Sequence, residues 1–174
     1  MGIWAEIKHA LNSTLGTSEF EPLDKLIRYS GKQFAMGSNV FATPFDGSVR
    51  SDIPTNKITG TSVDIVSIRP KISGSFTASV SVTTYSSKSK TVFANLVVYI
   101  NGVAQSTGQY TGSHSSSGTL SGTASVAVSF KAGDTISFKL YSSLMSSEES
   151  GQYYATCSRV NIFGQVVDNL IEVL

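Results

Sequence analysis

The chain is short of charge, cysteine and histidine, and each shortage removes a class of function. Charged residues make up 14% of its 174, against roughly a quarter in an ordinary soluble domain. The formal net charge is +1, so no bulk field draws the chain to nucleic acid or to an anionic membrane. A single cysteine, Cys157, excludes an internal disulfide framework, so the fold does not depend on an oxidising compartment. Two histidines, His9 and His114, leave little material for general-base chemistry. No apolar run reaches about 18 residues, and no membrane insertion is expected. The opening "MGIWAEIKHALNSTLG" carries Glu6, Lys8 and His9 where a secretory signal would be uninterrupted and apolar. Synthesis and folding in a cytoplasm are therefore expected.

Serine and threonine fill the space that charge leaves, at about a quarter of the chain. The few charges are also unevenly placed. They crowd residues 1–30, whereas between Ile72 and Phe130 only Lys88 and Lys90 occur. This shift separates a helical leader, residues 1–31, from a connecting segment, 32–62, and a β-domain, 63–174. In the leader, Ile3, Ile7, Ala10, Leu11 and Leu15 fall on one helical stripe that Gly16 would end. A second short helix over Pro22–Tyr29 would bury Leu23, Leu26 and Ile27. Helices this short need a partner surface. Ile3, Trp4, Ile7 and Leu11 are the expected docking residues, with Trp4 as anchor. A short strand is expected near Gln33–Ala42.

From Val63 onward the hydrophobic period is two. Phe76, Ala78, Val80 and Val82 alternate with serines and threonines, as do Val126, Val128 and Phe130, and then Ile136, Phe138 and Leu140. Such segments are half-buried strands with hydroxyl-rich outer faces. Leu96 to Ile100 is apolar in both phases, so it should be central or covered by another chain. Leu96, Val97 and Tyr99 are accordingly the expected oligomer-interface residues. Breaks are expected at Tyr85–Lys90, Gly108–Gly122, Ala132–Asp134 and Ser142–Gly151, with a last strand over Tyr153–Phe163. Strands at this spacing without intervening helices predict an all-β antiparallel sandwich. Lys88 and Lys90 are expected to guard a strand edge against aggregation.

Motifs for catalysis are sparse. His114 in "TGSHSSSG" has no Asp or Glu between Lys71 and Ala132 to orient it, and reads as a solvated loop histidine. Cys157 reads as a buried small apolar residue in a strand. No metal-ligand spacing, Gly-rich phosphate loop or facing carboxylate pair is evident, so neither a cofactor nor a catalytic residue is expected. Binding is better supplied. Tyr85, Tyr110, Tyr141, Tyr153 and Tyr154 lie at strand ends or beside loops, where a ring can stack on a sugar and nearby hydroxyls can bond it. Tyr85, Tyr110, Tyr141 and His114 are the expected ligand-binding set. The alternative, which carries more weight, is that these tyrosines line an oligomer axis or rim the core.

Three stretches in order, "VVYINGV", "SVAVSFKAGDTISFKLYSS" and "YYATCSRVNIFGQVV", resemble the C1q/TNF-type jelly roll found in phage and bacterial surface proteins. The resemblance covers about Val63 to Val167 and implies a homotrimer. The leader "GIWAEIKHALNSTLGTSEFEPLDKLI" is similar to leaders on tail-associated proteins of phages and prophages of Gram-positive bacteria. That resemblance implies attachment to other tail proteins and a place on the virion. Together they imply a non-enzymatic tail module that presents loops to a host surface, with a cell-surface glycan as one ligand class. A monomeric carbohydrate-binding module is the alternative, and an accessory domain of a hydrolase the weaker one.

Overall fold

The computed structural model describes residues 42–164 and 171–174. The leader, with Ile3, Trp4, Ile7 and Leu11, lies outside the described residues. Nine strands occur among those described: β1 (Ala42–Asp52), β2 (Val63–Pro70), β3 (Gly74–Ser86), β4 (Thr91–Ile100), β5 (Val103–Ser113), β6 (Gly118–Phe130), β7 (Ile136–Leu144), β8 (Tyr153–Gly164) and β9 (Ile171–Val173). They form a four-stranded sheet, β1-β8-β3-β6, and a five-stranded sheet, β5-β4-β7-β2-β9. All pairings are antiparallel. Only β4 and β5 are consecutive partners. Every other connection crosses from one sheet to the other, which is the winding of a jelly roll.

The period-two segments face as their sequence requires. Phe76, Ala78, Val80 and Val82 of β3 meet Val126, Val128 and Phe130 of β6 and Ile136, Phe138 and Leu140 of β7 in one core. The Phe76 ring lies 5.2 Å from that of Phe130 and 6.2 Å from that of Phe138. The strand apolar in both phases is indeed central, with β5 on one side and β7 on the other. The sandwich also takes in β1, upstream of the Val63 at which regular alternation begins. Register shifts interrupt β1 between Ala42 and Phe45 and between Asp46 and Val49, so its inward Phe45 and Val49 show no clean period.

The expected break at Gly108–Gly122 is only 114–117, because its Ser/Thr/Gly-rich flanks are strand. The glycines there serve close approach. A Cβ on Gly108 would collide with the Ser125 carbonyl, and one on Gly122 with the Tyr110 ring. β5 thereby lies tightly against β6 where the two sheets meet.

Two turns, at Asn101–Gly102 and at 131–135, lock each other. Asn101 and Gly102 both have positive φ, 51° and 82°, as a two-residue hairpin of type I′ needs. Asn101 Nδ2 donates to Asp134 Oδ1 at 2.9 Å, and the Thr135 N–H donates to Asn101 Oδ1 at 2.9 Å. The Lys131 N–H and the Asn101 amide hold the Asp134 carboxyl below its ordinary range.

Lys88 and Lys90 do not guard an edge. They flank the β3–β4 turn and reach Glu148 in the β7–β8 loop, at 3.6 and 2.7 Å. The segments 53–62, 87–90, 114–117 and 145–152 thus gather at one end of the sandwich. His114 N donates to Lys90 O, Ser87 N to Gln152 O and Asn56 N to Glu148 O.

Candidate recognition site

The outer face of the four-stranded sheet carries alternate residues of β3, β6, β8 and β1. Along β3 and β6 these are almost all Ser and Thr, and Thr83 Oγ1 lies 2.8 Å from Ser121 Oγ across the pair. At the loop-bearing end the pattern changes. Tyr85 of β3 pairs directly with Tyr154 of β8. Their rings stack 4.8 Å apart at 15°, both half-exposed. Arg50 of β1 lays its guanidinium 3.6 Å from the centroid of Tyr154. Arg50 Nε donates to Asp52 Oδ1 at 2.9 Å. That hydrogen bond raises the Arg50 pKa further, so the guanidinium stays charged and oriented. The result is an ordered row, Arg50–Tyr154–Tyr85, whose next position on β6 is occupied by exposed Thr119.

The outer face of the five-stranded sheet is different. Phe93, Asn95, Val97 and Tyr99 of β4 alternate with the core residues Val92, Ala94, Leu96 and Val98. Asn95 is 2% exposed although it faces outward. Its Nδ2 donates to Ser143 Oγ at 2.9 Å, and its Oδ1 accepts from Gln109 Nε2 at 2.7 Å. Val97 is 8% exposed, with Lys139 as its partner on β7 and Thr107 on β5. Lys139 bridges to Asp64 at 2.9 Å and lies 5.4 Å from the Tyr99 ring centroid. Tyr141 pairs with Asn95 across β7, half-exposed.

The expected ligand set is therefore not one site. Tyr85 and Tyr141 lie on opposite outer faces. Tyr110 turns inward against the core, with its hydroxyl donating to Ser121 O at 3.0 Å. His114 is not solvated: it is 7% exposed, and its Nε2 lies 3.1 Å from Thr84 Oγ1, an inward residue of β3. Burial pushes its pKa down. Alternation in β5 runs through to Gly112 and His114, so both share the inward phase of Tyr110. Leu96 is wholly buried in the core and unavailable to a partner. Val97 and Tyr99 do face outward. Cys157 is buried as expected, and burial raises its thiol pKa to about 11. At neutral pH it is protonated and a poor nucleophile.

Arg50 is the residue that sequence reasoning missed. Its neighbour in space, Tyr154, is more than a hundred positions away in the chain. The available signal was the Arg-x-Asp spacing at the end of an irregular strand, which means little until register is known.

A shallow depression of about 130 Å³ adjoins this row, lined by residues 113–120. Its rim is rich in serine, and Thr119 belongs both to it and to the line of Tyr85. No side chain lining it is Asp, Glu, Lys or Arg.

No family model and no curated protein matches the sequence. Solved structures do. A family 35 carbohydrate binding module from an environmental isolate is 22% identical, over 79% of this chain and 93% of its own, with a TM-score of 0.41. The Eiger TNF of S. frugiperda is 11% identical, over 64% of this chain and 85% of its own, with a TM-score of 0.31.

Proposed function

We propose that the chain is a non-enzymatic recognition and assembly module of a phage or prophage tail. In this reading three copies associate through the outer face of the five-stranded sheet, the leader attaches to other tail proteins, and the loop-bearing end meets a host surface. The observation that carries it is the chemistry of β4. Phe93, Val97 and Tyr99 stand on the outside of a central strand, with Tyr141 beside them, where the other sheet presents Ser and Thr. An apolar outer face on a central strand favours a covering partner.

Trivalent attachment raises apparent affinity for a repetitive surface by about 10²–10⁴ over one arm. Tyr99→Lys in the full-length chain should therefore weaken binding to cells of a Gram-positive host by at least about 10², with the β-sheet circular dichroism unchanged. Undiminished cell binding by this folded variant would refute assembly through that face. A second reading, a monomeric carbohydrate-binding module, draws support from the stacked Arg50–Tyr154–Tyr85 row on the other sheet.

A further inference from the structure

We infer that the free face of Tyr85, with Thr119 beneath it and the 115–117 loop beside it, is a subsite for a neutral saccharide. The inference rests on the recognition part of the reading above and not on assembly.

The geometry of the row sets where a ligand can stack. Tyr154 has Arg50 on the side of β1 and Tyr85 on the side of β3, so both of its ring faces are occupied. Tyr85 has Tyr154 on one face only. Its other face looks toward β6, where its direct partner is Thr119. The stacking distance of 4.8 Å matches the usual spacing between strands. A ring placed one step further along the row would therefore lie above Thr119, which is too short to fill that place.

The chemistry around that place sets the ligand class. One wall is an aromatic ring, suited to the C–H face of a pyranose. The floor offers the hydroxyls of Thr119, Thr83 and Ser121, the last two already 2.8 Å apart and able to donate or accept. The adjoining depression is lined by Ser115–Ser117. A purely apolar ligand would leave the Thr119 hydroxyl and the serines of the depression without a partner from the ligand.

Charge points to a neutral sugar. Arg50 is held by Asp52, and Lys88 and Lys90 are held by Glu148. Among the described residues no Lys or Arg side chain lines the depression beside Thr119, so none is placed there to neutralise a carboxylate or phosphate. The wall is also preorganised. Asp52 fixes Arg50, Arg50 covers Tyr154, and Tyr154 backs Tyr85, so little side-chain freedom is lost on binding.

The test is saturation-transfer NMR on the full-length chain with galactose, glucose, mannose and N-acetylglucosamine at millimolar concentration, and glucuronate as the charged comparator. At least one neutral sugar should receive transfer, strongest at the protons of one ring face, and glucuronate less. Tyr85→Ala should weaken the binding about tenfold. Thr119→Tyr, which fills the place while leaving Tyr85 intact, should abolish it. Lys131→Ala, exposed in the turn at the other end of β6, should leave it unchanged. Transfer that survives both Tyr85→Ala and Thr119→Tyr overturns the inference, as does transfer to glucuronate above all neutral sugars. A chain that binds host cells but none of these sugars overturns the subsite while leaving the recognition reading standing.

Discussion

Leu96 and Tyr99 lie three residues apart on β4 and separate two kinds of contribution. Leu96 is wholly enclosed between the sheets, among residues such as Val98, Phe138 and Leu140. Truncation to alanine removes buried methyl groups and leaves a cavity that a β-sandwich closes poorly, at a cost of about 2–5 kcal/mol. With a urea dependence of about 2 kcal/mol per molar, the middle of the usual range, the midpoint should fall by about 1–2.5 M. Tyr99 is half-exposed, and the Lys139 ammonium lies 5.4 Å from its ring centroid. The ammonium is open to solvent and Tyr99 fills no enclosed space, so Tyr99→Ala should cost about 1 kcal/mol or less. Urea unfolding followed by circular dichroism, at a concentration low enough to keep the chain unassembled, measures both. Equal losses for the two variants, or a loss for Leu96→Ala below about 1 kcal/mol, would refute the assignment of inner and outer faces.

Three further outcomes follow from the same geometry. Gly108→Ala pushes a methyl into the Ser125 carbonyl, a backbone atom that can yield only if β5 moves from β6; a loss of about 1–3 kcal/mol is expected in urea unfolding. Burial holds the His114 imidazole below its ordinary 6.5, so the unfolded chain takes up a proton at a pH where the folded chain does not. Its contribution to stability is therefore complete above pH 6.5 and is lost as pH falls through the lower folded value, and this part of the slope should vanish in His114→Gln. Cys157, with its thiol pKa raised to about 11, should resist a thiol-specific disulfide reagent at pH 8 in the native chain and react promptly in denaturant.

The elements visible in the sequence are those whose side chains alternate cleanly. Phe76 to Val82, Val126 to Phe130 and Ile136 to Leu140 announce their inner faces because apolar and hydroxyl residues take turns. The Asn-Gly and Gly-Asp turns were legible because each needs a particular backbone. A strand apolar on both faces has no phase, so Leu96 could not be separated from Val97 and Tyr99. Around Gly108–Gly122 the small polar residues carry a weak hydrophobic signal, which concealed two strands and the inward aim of Tyr110 and His114. The recognition row was legible only in part. Tyr85 and Tyr154 stand out as aromatics among hydroxyls, but their stacking depends on the register of β3 with β8, and Arg50 joins them only through the register of β8 with β1.

The solution mass of the full-length chain by light scattering tests assembly through the five-stranded face most directly. A mass of three times the chain's 18.5 kDa, reduced to one chain by Tyr99→Lys, is the predicted result. A wild-type mass of one chain at every concentration would contradict the trimeric account and leave a single-chain binding module in its place.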